Sequence, residues 1–330
     1  MQVSSTTMSQ VPYKNLAVEF DEYFSSLVRL LPQAPHNLYE PVNYFLNLDG
    51  KRIRPLLVLI ASDCFNGDTK KALPAATAVE LFHNFSLIHD DIMDKAPLRR
   101  GKQTVHEKWN NNIAILSGDV LLVKAYQELA KCEVDVLDIF SQTAINVCEG
   151  QQYDMDFENR ADVTIAQYLE MIKLKTAVLL AASLQMGALS AGAPYKNSAV
   201  FYTAGINMGM AFQLTDDYLD VFGDIEKIGK QSGGDIIANK KTWLLLKAFE
   251  LSNEKQQQEL NKWLAVKTDS NEKVAAVKNI FIQLNLEKLL ETEIDSYYNK
   301  TFVDLRAACP NTQKVESFIS FIQTLVKRNK

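Results

Sequence analysis

Glu80-Leu81-Phe82-His83-Asn84-Phe85-Ser86-Leu87-Ile88-His89-Asp90-Asp91-Ile92-Met93-Asp94 is a largely apolar run that ends in three carboxylates. A second run, Met210-Ala211-Phe212-Gln213-Leu214-Thr215-Asp216-Asp217-Tyr218-Leu219-Asp220, ends the same way. Apolar residues recur in both at helical spacing, so both read as buried helices. Positions four apart on a helix share a face, which pairs Asp90 with Asp94 and Asp216 with Asp220. Like charges side by side at a buried run repel and are poorly solvated, so each pair needs a cation. Hard oxygen donors on two facing helices suit Mg²⁺, which binds through a few carboxylates while substrate phosphates complete its shell. The pattern predicts a magnesium-diphosphate site.

A lone Asp-Asp-x-x-Asp arises by chance in roughly one chain in ten at this Asp content and alone reads as a solvated helix end. Two copies in similar contexts arise by chance in well under about one chain in a hundred.

Nearly every other segment carries helical spacing, and few show strand alternation, so the expected fold is all-α. Helices are expected at 12–31, 37–47, 55–66, 72–94, 111–131, 134–155, 164–191, 197–223, 241–251, 254–267, 272–290, 291–306 and 312–328. Breaks fall at Pro32, Pro35, Pro97, Gly101, Pro194 and the loop from Gly223 to Asn239. The stretches 72–94, 111–131, 164–191 and 197–223 are apolar over most of their circumference and belong in a bundle core. No linker divides the 330 residues, so a single domain over 1–330 is expected, with 1–11 a flexible N-terminal tail that lacks the apolar core of a signal peptide.

The chain is 47% hydrophobic, enough for a large core, and its net charge of -5 excludes a global attraction for nucleic acid or anionic membrane. The longest apolar stretch, Val178 to Ala193, is interrupted by Gln185 and is short for a membrane span. Cys64, Cys132, Cys148 and Cys309 show no metal spacing and read as reduced core residues of a cytoplasmic protein.

Basic residues gather where a diphosphate needs them. Lys95-Ala96-Pro97-Leu98-Arg99-Arg100-Gly101-Lys102 follows the first acidic motif, and arginine's planar fork suits bidentate phosphate binding. Gly50-Lys51-Arg52-Ile53-Arg54-Pro55 opens a helix whose N-H groups and dipole add to an anion site. Gly229-Lys230, Gly233-Gly234-Asp235 and Asn239-Lys240-Lys241-Thr242 follow the second motif, and Lys173-Leu174-Lys175-Thr176 lies midway. Each cluster alone reads as a solvated turn; their coincidence with two acidic motifs favours a site.

These residues resemble the trans-polyprenyl diphosphate synthase family, whose members include farnesyl and geranylgeranyl diphosphate synthases. The ordered set runs from Gly50-Lys51-Arg52-x-Arg54-Pro55 through Glu80-x-x-His83-x-x-Ser86-Leu87-Ile88-His89-Asp90-Asp91, Arg99-Arg100-Gly101, Lys175-Thr176 and Phe212-Gln213-x-x-Asp216-Asp217 to Gly233-Gly234-Asp235 and Lys240-Lys241-Thr242. The resemblance implies an isoprenoid-synthase-type helical bundle around a central cavity, homodimeric, joining isopentenyl diphosphate head to tail with an allylic diphosphate (dimethylallyl, geranyl or farnesyl). It implies direct metal ligation by Asp90, Asp94 and Asp216, with Asp91 and Asp220 tuning or supporting that shell, Asp217 also in the metal set, and about three Mg²⁺ per site with diphosphate bound. Arg99, Lys175 and Lys240 resemble the allylic diphosphate clamp. Lys51, Arg54, His83 and Arg100 resemble the isopentenyl diphosphate site, and Lys230 falls in the phosphate-facing loop. Thr176 and Gln213 resemble the polar groups that face the developing carbocation.

The chemistry accounts for these residue types. Ionising the allylic carbon-oxygen bond requires charge stabilisation of the departing diphosphate, and the cation left behind needs an apolar, closed cavity with only weak dipoles near it. Glu80 and His83 also form the Glu-x-x-His of di-iron bundles, which supply two such pairs where this chain offers one. Phe85 lies five residues before Asp90, roughly 7.5 Å along a helix, where it can floor the tunnel for the growing tail. Ser86, next to it, is small. One aromatic with this spacing resembles twenty-carbon producers, with farnesyl diphosphate close behind. A terpene cyclase or a catalytically silent subunit of a hetero-oligomeric synthase stands as the alternative. The 111–131 helix is a candidate dimer interface or core element, and Lys327-Arg328-Asn329-Lys330 either closes over substrate or frays.

Overall fold

The computed structural model describes residues 13–223, 233–266 and 270–329, which leaves the expected tail 1–11 outside the described residues. The fold is all-α. Its helices are α1 (Lys14–Arg29), α2 (His36–Leu46), α3 (Ile53–Cys64), α4 (Thr69–Met93), α5 (Val105–Lys108), α6 (Asn111–Leu129) and α7 (Val134–Glu158). Then come α8 (Ile165–Ile172), a π-helical turn (Lys173–Ala177), α9 (Val178–Ser190), α10 (Tyr195–Phe222), α11 (Gly234–Ile237) and α12 (Trp243–Leu251). The chain closes with α13 (Glu254–Leu264), α14 (Asn271–Gln283), α15 (Leu286–Ala308) and α16 (Thr312–Asn329).

The backbone forms two compact units. The first takes residues up to Ser141, Ala182–Phe201 and Ala308–Val315. Its axis is α4, on which α3 and α6 pack; α1 lies on α3 and α4, and α2 on α6. Apolar residues surround α3, and Leu57, Val58, Leu59, Ile60 and Ala61 are fully buried, as expected of a helix enclosed on every side. Side chains close the helix starts: Asp68 accepts from the Lys70 amide at 3.1 Å and Asn110 from the Ile113 amide at 2.9 Å. Such caps are worth about 1 kcal/mol each.

The second unit takes Gln142–Ala181, Tyr202–Ala307 and the chain from Glu316. Tyr168, Ala177, Ala181, Ala204, Ala211 and Leu214 are buried in it, with Leu244, Leu260, Phe281, Leu286 and Leu305 completing the core. In this unit α12 packs on α8, and α14 packs on α11, α12 and α13.

The helix expected at 164–191 is broken by the π turn at Lys173–Ala177, the expected loop from Gly223 to Asn239 contains the helix Gly234–Ile237, and three further features depart from the sequence reading. The helices expected at 272–290 and 291–306 are Asn271–Gln283 and Leu286–Ala308, because Asn285 takes the left-handed φ of 55° that ends a helix. A two-residue hairpin, Leu98–Arg99 with Lys102–Gln103, interrupts the helical pattern, and Arg100 (φ 53°) and Gly101 (φ 73°) form its turn. Two consecutive positive φ values define the turn that matches strand twist. Finally, of the four free cysteines only Cys64 is buried; Cys132 and Cys309 are half-buried and Cys148 is exposed, so the core expectation holds for one. One stretch, Ile165–Ser190, has the length and composition of a membrane span, but 72% of its apolar window is buried within the protein, as core packing requires.

Candidate active site: two acidic helix ends and their basic neighbours

In the first unit, α4 carries the first acidic motif into its last turn. Lys95 takes φ 51°, and the Ala96 amide reaches back to the Asp91 carbonyl at 2.9 Å, which stops the helix. The three aspartates separate by face. Asp90 is half-buried and Asp94 exposed, whereas Asp91 is 1% exposed and turns into the unit. Arg99, in the hairpin, holds Asp91 with Nε and Nη2 at 2.7 Å and lies 3.6 Å from Asp90 through Nη2. Burial raises the Asp91 carboxyl, and Arg99 only partly offsets this. Its Oδ2 is buried and accepts no hydrogen bond.

Four arginines of this unit, Arg54, Arg100, Arg99 and Arg52, act on His83. Arg54 Nη1 lies 3.2 Å from His83 Nε2; a guanidinium only donates, so Nε2 accepts and the ring proton sits on Nδ1. Burial first, then the charges of Arg54, Arg100, Arg99 and Arg52, hold His83 well below the ordinary imidazole range. Arg52 is committed elsewhere: it pairs with Glu80, donates to the Leu46 carbonyl at 2.9 Å and lies 4.9 Å above the Phe24 ring. Glu80 also accepts from Asn84 Nδ2 at 2.9 Å. Glu80 and His83 are thus both engaged with arginines. Arg100 donates to the Leu48 carbonyl at 3.4 Å, and Lys51 is exposed. Phe85 is half-buried, its ring 5.4 Å from Phe82 and 4.7 Å from His89, while the Ser86 hydroxyl turns back to the His83 carbonyl at 2.9 Å.

In the second unit, α10 repeats the arrangement. Asp216 is exposed, Asp220 half-buried and Asp217 buried. Asp217 accepts from the Tyr168 hydroxyl and, at 3.4 Å, from Gln213 Nε2. Burial pushes its carboxyl up to about 7 against the pull of that tyrosine. Gln213 Oε1 accepts from the Thr176 hydroxyl at 3.2 Å, so Thr176, Gln213, Asp217 and Tyr168 form one hydrogen-bonded chain. Asp220 Oδ2 accepts the Asp235 amide at 3.0 Å. Burial also raises the Asp235 carboxyl, with Lys240 opposing.

Lys175 and Thr176 lie in the π turn. An inserted residue of this kind re-aims the side chains it carries. Lys175 Nζ meets Asp154 Oδ2, on α7, at 2.5 Å. The contact depends on Gly150: a Cβ there would fall 2.3 Å from the Lys175 amide nitrogen, so only glycine lets α7 approach the turn. Lys240 is exposed just before α12. Lys230 and the side chains of Lys327 to Lys330 lie outside the described residues.

Each motif therefore sends its first and last aspartates outward and its second inward. Asp154 and Tyr168 were missed in the sequence, and Asp235 was singled out there only within Gly233-Gly234-Asp235, without a role of its own. No motif marks Asp154, and Tyr168 sits in an apolar pattern that signals only burial. The donors fit Mg²⁺, being carboxylate oxygens without thiolate or imidazole. No three His, Cys, Asp or Glu converge as a cage among the described residues; an ion that keeps waters and takes phosphate oxygens is bound through one or two carboxylates and needs no such cage.

The profile of the Polyprenyl synthetase family matches residues 35–281. The geranylgeranyl diphosphate synthase of Methanosarcina mazei is 42% identical over 68% of this chain and 72% of its own length. The geranylgeranyl diphosphate synthase of Sulfolobus acidocaldarius is 37% identical over 84% of this chain and 91% of its own. A crystal structure of a geranylgeranyl pyrophosphate synthase superposes with a TM-score of 0.90 at 44% identity, covering 96% of this chain and 99% of that one. The chain belongs to the polyprenyl synthetase family and is a short-chain trans-prenyltransferase.

Proposed function

We propose that the enzyme adds isopentenyl diphosphate to dimethylallyl, geranyl and farnesyl diphosphates and releases mainly geranylgeranyl diphosphate. The observation that carries this reading is the repeated split of the acidic motifs, inner carboxylates buried and outer ones more exposed, with Arg99 beside the first and the charge of Lys240 reaching the second. Asp90 and Asp94 in the first unit, and Asp216 and Asp220 in the second, would hold Mg²⁺, which would supply the charge that stabilises a departing diphosphate. Arg99 in the first unit, and Lys175, Lys240 and Lys230 in the second, would bind allylic diphosphate. Lys51, Arg54 and Arg100 bind isopentenyl diphosphate, and His83, protonated on Nδ1, donates to it. With the second diphosphate bound, the isopentenyl double bond attacks the allylic carbon and a proton leaves to the diphosphate.

Thr176 and Gln213 turn oxygen dipoles toward the developing cation. Their mutual hydrogen bond and the Gln213 contact to Asp217 fix the amide orientation, which supports that role. Phe85 floors the tunnel, and the length of the product follows from it.

The enzyme works as a single-domain cytoplasmic homodimer. Exposed apolar residues on α6, Leu116 at 57% and Val123 at 59%, support an interface there, and four free thiols support the compartment. The test incubates protein and Mg²⁺ with isopentenyl diphosphate and each allylic starter separately, resolving dephosphorylated products by carbon number. A dominant twenty-carbon product is expected; termination at fifteen carbons would defeat the product assignment, and no condensation with any starter would defeat the reading.

A further inference from the structure

Lys273, on α14, is 1% exposed. Its ammonium donates to Asn239 Oδ1 at 2.7 Å, to the Ile237 carbonyl at 3.1 Å and to the Val266 carbonyl at 3.4 Å. Burying an ammonium is costly unless acceptors surround it, so a lysine kept here must impose an arrangement that an apolar side chain would not. That arrangement is the turn before Lys240. Asn239 takes φ 55°, a left-handed conformation that Asn tolerates better than most residues with a Cβ. Its side chain is held on both sides, accepting from Lys273 and donating to the Leu264 carbonyl at 2.9 Å.

Downstream, the Lys240 amide donates to the Asp235 carbonyl at 2.9 Å, and the Lys240 carbonyl accepts from the Thr242 amide at 2.9 Å. The backbone of Lys240 is thereby fixed on both sides while its side chain stays exposed. The neighbour of Lys273 supports the other end of the segment. Gly233 has φ 87°, and a Cβ there would fall 2.4 Å from Val274 Cγ1. Two adjacent residues of α14 thus brace the start and the end of the segment from Gly233 to Lys240.

We propose that Lys273 is a positioning residue: its buried ammonium locks the left-handed turn at Asn239 so that Lys240 is presented to the allylic diphosphate. The inference rests on the reading of Lys240 as a diphosphate contact. Lys273 touches no substrate; it acts through Asn239.

Steady-state kinetics of Lys273→Met, Lys273→Arg, Asn239→Gly, Lys240→Ala and the Lys273→Met/Lys240→Ala double variant test this. Lys273→Met is expected to raise KM for the allylic diphosphate about tenfold or more, as a displaced clamp does. KM for isopentenyl diphosphate should move less than about twofold, and Lys273→Arg should recover most of the loss. The double variant should be no worse than Lys240→Ala alone, since one residue acts through the other. Asn239→Gly keeps the left-handed backbone and removes both side-chain hydrogen bonds, so it should raise the same KM even if Lys273→Met does not fold. Equal effects on both substrates, full additivity with Lys240→Ala, or an unchanged KM in Asn239→Gly would overturn the proposal. If Lys240→Ala itself left the allylic KM unchanged, the reading of Lys240 would fail and the role of Lys273 with it.

Discussion

Arg99 Nε and Nη2 both lie 2.7 Å from the same oxygen of Asp91, so the arginine beside the outer carboxylates is fastened to the inner one. Removing one partner of a buried pair costs about 3–5 kcal/mol, and the 24% exposure of the Arg99 side chain brings the expectation to roughly 2 kcal/mol. Arg99→Ala should lower the thermal midpoint by several degrees as well as weaken allylic substrate. A midpoint equal to wild type would show that Asp91 finds another partner.

The in-and-out split separates two kinds of aspartate. Asp90→Ala and Asp216→Ala should cost turnover at least about a hundredfold; Asp216→Ala should leave the melting curve unchanged and Asp90→Ala, at a half-buried position, should shift it less than Asp91→Ala does. Asp91→Ala and Asp217→Ala should instead lower the midpoint. Calorimetry and product assays on the same preparations check this, and a melting shift confined to the outer positions would contradict it.

Gly150 admits no side chain opposite the Lys175 amide. Gly150→Ala must push α7 away from the π turn, an overpacking worth about 1–3 kcal/mol. It should also break the Lys175–Asp154 pair and cut activity more than about tenfold. Wild-type activity in this variant would show that the pair is dispensable.

His83 gives an acid-side prediction. Its folded pKa lies well below the unfolded value, so the fold favours the neutral ring. The stability this provides is complete above the unfolded pKa of about 6.5 and is lost as pH falls from there toward the folded value. Between about pH 7 and pH 5 the melting midpoint of wild type should therefore fall more than that of His83→Gln. Parallel pH curves for the two proteins would remove His83 from the acid response.

Phe85 packs beside Phe82 on the same helix, one turn and more before Asp90. Phe85→Ala should lengthen the product by at least one isoprene unit, read by chromatography of dephosphorylated products. An unchanged distribution would assign the tunnel floor to other residues.

The all-α fold and the faces of both acidic motifs were legible because the 3.6-residue period fixes which side chains share a side. Asp90 and Asp94, or Asp216 and Asp220, follow from spacing alone. The role of the inner aspartates was not legible: Asp217 is held by Tyr168, 49 positions away, and no local pattern reports that pairing. The π turn at Lys173–Ala177 has no sequence signature either, since its residues also suit an α-helix. Two misses were within reach. Arg100-Gly101 between Leu98-Arg99 and Lys102-Gln103 is a turn pair, and Asn285 is a residue type that tolerates the left-handed stop.

The inward aspartates also change how damage to this protein would look in a cell. A chain altered at Asp91 or Asp217 populates unfolded forms and is cleared, so it behaves as a missing gene copy. A chain altered at Asp90 or Asp216 persists at normal abundance without turning over. The same five-residue signature therefore harbours lesions of abundance and lesions of turnover, one position apart.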